Sequence, residues 1–189
     1  MNDVARILET GDSAQKISVL EGLAATDRPD IIEKMIARLD DDDIRVRGEA
    51  FSSLILNENR IYEHLIKGLG SASKNVRGFA SLILANRNET DSIPELVKLA
   101  RDKRSMVRSC AVGALGHMHA GGSEVGKVLA ESLLDDSSEV RKSAAHSVIT
   151  TGIDIAPDVI ERASDLWAGD VQDDPDLGML LGRLKERGA

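Results

Sequence analysis

The phrase Val-Arg-x-x-Ala recurs at nearly equal spacing along this chain. It stands at Val46-Arg47 to Ala50, Val76-Arg77 to Ala80, Val107-Arg108 to Ala111 and Val140-Arg141 to Ala144. Successive valines are separated by 30, 31 and 33 residues. A period in that range marks stacked supersecondary units, because one such unit cannot bury its apolar stripe alone. With valine at position 0, alanine falls at +4 and a branched apolar residue at +8: Leu54, Leu84, Leu115 and Val148. Positions 0, 4 and 8 share one face of an α-helix.

A second amphipathic segment precedes each phrase: residues 31–39, 61–69, 93–100 and 125–134. Polar turns such as Asp40–Asp43 and Asp135–Ser138 separate the two. Each unit therefore reads as helix, tight turn, helix. The expected spans are 2–10, 13–25, 29–39, 43–57, 60–69, 73–86, 92–101, 104–118, 122–134, 137–151, 156–168 and 175–187. The pattern decays at both ends. Val19 and Leu23 take the +4 and +8 places of a first unit in which Gln15-Lys16 replaces Val-Arg. Leu177 and Leu181 do so in a last unit in which Asp173-Asp174 replaces it. Terminal units that lose the internal consensus behave as caps, since one side faces water.

The Asp-rich turn followed by Val-Arg-x-x-Ala resembles the short HEAT-like repeats of the phycobilisome-lyase type, best over residues 30–150. That resemblance implies an all-α fold, a right-handed α-solenoid of about six antiparallel helix pairs. The expected organisation is one array over 1–189, with cap units at 1–28 and 152–189 around core repeats at 29–151. The Trp/Tyr framework of tetratricopeptide arrays and the Thr-Pro-Leu-His phrase of ankyrin arrays are both missing from the sequence.

Composition narrows the function. A net charge of -8 argues against a nucleic-acid or anionic-membrane surface. One local exception is basic: Lys98, Arg101, Lys103, Arg104 and Arg108 against Asp102. The single cysteine, Cys110, allows no intrachain disulfide. No stretch approaches the roughly 18 apolar residues of a membrane span, and no secretory leader is evident, so a cytoplasmic protein is expected.

By resemblance, the second helices line the concave face. Positions +2, +3, +6 and +10 point away from the apolar stripe and hold the candidate protein-binding residues. These are Glu49, Ser52 and Leu56; Phe79, Leu82 and Asn86; Cys110 and His117; Lys142 and His146. Gly48, Gly78, Ser109 and Gly113 occupy the same rows. Phe79, Leu82 and Leu56 are apolar where solvent is expected. Either they form a shallow groove for a peptide, or they fill gaps between rotated helices. Arg47, Arg77, Arg108 and Arg141 read as a structural ladder, each able to reach acidic or carbonyl groups of a neighbouring turn. Cys110, His117 and His146 form too small a set for a zinc site, and no metal or cofactor is expected. Trp167 either anchors a partner or seals the join to the terminal helix at Leu177, Leu180, Leu181 and Leu184.

No nucleophile elbow, phosphate loop or dinucleotide fingerprint is present in the sequence. The expected function is a non-catalytic scaffold that binds a protein or peptide partner. The resemblance offers two alternatives: a bilin-lyase-like enzyme or subunit, and a nucleic-acid-binding HEAT-like protein.

Overall fold

The structure, a computed structural model, describes residues 3–188. Asn2, placed by the pattern in the first helix, and the side chain of Asp173 lie outside the described residues. All regular structure among the described residues is helical, and the fold is that of an α-helical repeat solenoid. The chain divides into two compact units, one ending at Glu89 and the other beginning at Thr90.

The first unit holds α1 (Asp3–Thr10), α2 (Ser13–Glu21), α3 (Pro29–Ala37), α4 (Ile44–Leu56), α5 (Tyr62–Leu69) and α6 (Lys74–Asn86). Each odd helix packs on the even helix that follows it. The odd helices also pack on one another, α1 on α3 and α3 on α5, and so do the even ones, α2 on α4 and α4 on α6. Two layers result. The second unit repeats the plan with α7 (Ile93–Leu99), α8 (Ser105–His117), α9 (Ser123–Ser132), α10 (Ser138–Thr151), α11 (Pro157–Trp167), α12 (Asp170–Asp173) and α13 (Pro175–Gly188). Here α8, α10 and α13 form the second layer.

Local chemistry sets the ends. Asp12 and Gln15 form a capping box on α2, Asp43 accepts from the Arg45 amide, and Ser73 accepts from the amides of Asn75 and Val76. Each side-chain oxygen satisfies an N–H that the first helical turn leaves orphaned. Pro29, Pro94 and Pro157 sit in first turns, where no N–H is needed. Two equivalent helix ends leave through the left-handed region: Asn88 after α6 has φ 54° and His119 after α8 has φ 48°. The next amides, of Glu89 and Ala120, reach back to the carbonyls of Leu84 and Leu115. His119 is therefore a helix stop that faces solvent.

The stripe predicted at 0, +4 and +8 is buried in all four repeats. Small residues at +4 serve the hairpin as well as the stack: a Cβ on Gly68 of α5 would lie 3.4 Å from the Cβ of Ala80 in its own partner helix. The helix ends lie within two residues of the expected spans except at α2. Helix α2 stops at Glu21, four residues early, because Gly22 caps it. Leu20 is the residue it buries, while Val19 and Leu23 are only half-buried. Helix α3 ends at Ala37 and tightens into a 3-10 turn, Arg38–Asp40, a common way to close a last turn. The short α12 was not expected from the pattern.

Candidate functional site

The second-layer helices present the predicted residues unit by unit. In the first unit, Leu56 closes α4 at 66% exposure. Ser52 and Asn86 are exposed, whereas Glu49, Phe79 and Leu82 are half-buried. Phe79 stands edge-on to Phe51 of α4, ring centroids 6.0 Å apart at 66°. Edge-to-face pairs of this kind add about 0.5–1.5 kcal/mol beyond their buried area. Phe51 was not among the candidate residues. It lies at +5, the side of a second-layer helix that faces the next repeat, and Phe79 at +3 faces back toward it. The ring pair thus fills the α4–α6 seam, with both rings half-buried.

Serines define the other seams. Ser53 donates to the Leu20 carbonyl at 2.9 Å, joining α4 to α2, and its hydroxyl lies 3.2 Å from the Glu49 carboxylate. Ser147 donates likewise to the Val112 carbonyl at 2.9 Å, joining α10 to α8. Ser109 and Ser143 share a hydrogen bond of 2.8 Å across the same seam. A Cβ on Gly116 would meet the Cα of Ser147 at 2.8 Å, so α8 and α10 approach backbone to backbone there. Gly48 and Gly113 face open space, whereas Gly78 is buried within α6.

In the second unit, His117 and His146 are exposed and Cys110 is half-buried. Burial, with a smaller push from Glu139, raises the Cys110 thiol to about 11, so it is protonated at neutral pH. Among the described residues, no three His, Cys, Asp or Glu side chains converge in a way that could hold a metal ion. Lys142 is engaged by Asp174 at 3.0 Å and Asp176 at 3.4 Å. Trp167 is wholly buried and donates its indole N–H to the Leu133 carbonyl at 2.9 Å. It is a core residue tied to the preceding repeat, and the leucines Leu177, Leu180, Leu181 and Leu184 of α13 are buried in the same unit.

The arginines hold the turns that carry these helices. Arg47 donates to the carbonyls of Asp41 (2.7 Å) and Asp42 (3.2 Å), and Arg77 to those of Ser71 (2.8 Å) and Ala72 (3.0 Å). Arg108 donates to the Asp102 carbonyl (3.0 Å), and Arg141 to those of Asp135 (2.7 Å) and Asp136 (3.1 Å). Each guanidinium thus stitches its helix to the preceding turn. The same position also reaches forward to the next repeat. Lys16, standing where the other repeats have arginine, pairs with Asp41 at 2.8 Å. Arg108 pairs with Asp135 at 2.7 Å and Asp136 at 2.6 Å, and Arg141 pairs with Asp170.

These forward bridges depend on ionised carboxylates. Burial pushes the Asp41 and Asp135 carboxyls up, but the Lys16 and Arg108 hydrogen bonds and nearby backbone amides outweigh it and hold both below the ordinary value. A depressed folded value means the unfolded chain binds more protons in the window between. Stability is therefore complete above the unfolded pKa of about 3.9 and falls as pH drops through it toward the folded values. Urea midpoints read by circular dichroism at pH 7, 4 and 3 are expected to show that fall. It is expected to shrink in the Asp41→Asn, Asp135→Asn double variant.

Charge in the one basic stretch is partly paired. Within the basic stretch, Lys98 lies 3.5 Å from Glu95, Arg101 2.8 Å from Glu131, and Arg108 is committed as above. Only Lys103 and Arg104 of that stretch stand exposed outside those three pairs. An open cleft of about 540 Å³ lies on the first layer of the first unit, lined by Ile36, Ala37, His64, Gly68 and Val76 among others, away from the predicted face. Among the described residues, no helix is long and apolar enough to cross a membrane.

Residues 62–149 match the family model for HEAT repeats. No curated protein matches the chain. Solved structures share its fold. One engineered protein is 22% identical, with 99% of this chain and 98% of that one aligned and a TM-score of 0.56. Computationally designed armadillo repeat proteins for modular peptide recognition are 19% identical over 98% of each chain, at a TM-score of 0.57. A designed armadillo repeat protein in complex with the peptide (KR)4 is 18% identical over 98% of each chain, at 0.55. At these identities the likeness shows the fold alone.

Proposed function

We propose that the chain is a non-catalytic scaffold, a single repeat array whose second-layer helices dock an extended peptide segment of a protein partner. The observation that carries this reading is that Phe79, Leu82 and Leu56 stand half-exposed or exposed in rows of the second-layer helices where solvent selects for polar residues. Leucine at 66% exposure is ordinary when isolated, but three apolar side chains in these rows of two neighbouring helices are not. The turns beneath are fixed by the arginine stitches, so binding orders little of the protein itself, and the cost of association stays low. Designed repeat proteins of the same fold bind peptides, which supports the reading. Cys110, protonated at neutral pH, is poorly suited to act as a nucleophile.

The test uses a phage-displayed random peptide library panned on the full chain. Selected peptides are expected to lose at least tenfold in affinity, about 1.4 kcal/mol, against Leu56→Glu. They are expected to retain it against Leu166→Glu, an exposed first-layer control on α11. Surface substitutions of this kind leave folding within about 0.5 kcal/mol, so melting curves of both variants should overlay the parent. Equal binding to all three proteins, or no selected peptide, overturns the proposal.

A further inference from the structure

In the second unit, α10, α11 and α13 enclose a cavity of about 210 Å³ that shares no residue with the rows proposed to dock a peptide. Its floor is Val148, Ile160 and Leu184, all buried. Its wall is the linker from α10 to α11. Gly152 turns the chain out of α10 at φ 75°, a left-handed conformation that suits glycine. Residues 153–156 are not helical, and burial alternates along them: Ile153 and Ile155 are half-buried, Asp154 and Ala156 exposed. That period of two turns both isoleucines to the cavity. Ile153 is also held from α9, since a Cβ on Gly126 would lie 3.5 Å from its Cγ2. Protein interiors leave few voids larger than one water, so an apolar cavity of this size has room for a ligand. It is smaller than the roughly 300–1,000 Å³ of drug-sized sites, which limits the occupant to a small molecule.

Two opposite charges stand at the mouth. Asp154 and Arg187 both line the cavity and both are exposed. The guanidinium is oriented: Nη1 donates to the Ile149 carbonyl at 3.2 Å, and Nη2 lies 3.7 Å from where a Cβ on Gly152 would stand. Among the described residues neither Asp154 nor Arg187 has an ion-pair partner. A simple carboxylate would meet Asp154 as well as Arg187, and a simple amine would meet Arg187 as well as Asp154. A zwitterion answers both charges at once. We propose that this cavity takes a free aliphatic α-amino acid. Its branched side chain lies on the floor of Val148, Ile160 and Leu184, its carboxylate on Arg187 and its ammonium group on Asp154.

Amide NMR spectra of the isotope-labelled full chain, with calorimetry for affinity, test this with L-leucine as the probe. Millimolar leucine is expected to shift the amides of Ile153, Asp154 and Ile155. Isocaproate is leucine without its ammonium group, and isopentylamine is leucine without its carboxylate. Each is expected to bind at least fivefold more weakly. L-alanine keeps both charges but loses three carbons; at about fourfold in affinity per buried CH₂, it is expected to bind at least tenfold more weakly. Arg187→Gln and Asp154→Asn are each expected to weaken leucine at least fivefold at an unchanged melting temperature, because both side chains are exposed. The variants are expected to diverge on the analogues. Arg187→Gln holds isopentylamine more tightly than the parent does, and Asp154→Asn holds isocaproate more tightly. Removing the repelling charge produces that crossover, and a merely structural effect would not. No shift at millimolar leucine, shifts that miss residues 153–155, or equal affinity for leucine and both analogues overturns the proposal. Undiminished leucine binding in both variants overturns it as well.

Discussion

Trp167→Ala is expected to remove about 3–5 kcal/mol of stability from the second unit, the largest effect of any single substitution considered for this chain. The indole is wholly buried, so truncation opens a large cavity, and the Leu133 carbonyl loses the N–H that reaches it at 2.9 Å. Leu133 follows directly on α9, so the loss lands where α11 is tied to the repeat before it. Because Trp167 is the only tryptophan, the measurement is urea unfolding followed by far-ultraviolet circular dichroism, not by fluorescence. A midpoint shift below about 1 kcal/mol would mean the site collapses around the gap. Trp167→Phe, which keeps the ring and drops the N–H, separates packing from the hydrogen bond.

A pair of glycines on one helix is expected to give effects of opposite sign. Gly116→Ala forces a methyl group toward the Cα of Ser147 at 2.8 Å and its hydroxyl at 2.3 Å, so α8 and α10 must part. Overpacking of that kind costs about 1–3 kcal/mol. Gly113→Ala, three residues earlier in α8, meets open space and gains the helix propensity of alanine, up to about 1 kcal/mol. Here Trp167 fluorescence reports the urea transition of the unit directly. Gly116→Ala unfolding at the parental midpoint would show that the seam yields without strain.

The difference between these glycines was not readable from sequence. Both sit in a helix behind the same Val-Arg phrase, and only the neighbour's backbone distinguishes them. What the sequence did carry was the element plan, because valine, alanine and leucine at 0, +4 and +8 leave few ways to bury one stripe. The early end of α2 was concealed because Leu23 continues the apolar period past Gly22. Phe51 escaped attention for a related reason. The rows chosen as candidates faced directly away from the core, whereas +5 looks sideways into the next repeat, and a ring there counts as lining only once its partner Phe79 is seen. Lys142 lies in one of the rows expected to meet a partner, yet its charge is answered by Asp174 and Asp176, thirty-odd residues later. Sideways and long-range contacts of this sort depend on the rotation of one helix against another, which periodicity does not encode.

Two of the repeat-defining arginines, Arg108 and Arg141, have two kinds of acceptor, and these respond differently to protons. The stitch to the preceding turn ends on carbonyl oxygens, which do not titrate, and the guanidinium stays a cation throughout. The bridge to the following repeat ends on a carboxylate, and that of Asp135 titrates. Acid below about pH 4 should therefore loosen hairpin from hairpin while each elbow keeps its bend, so that the stack slackens along its seams before any of its segments opens.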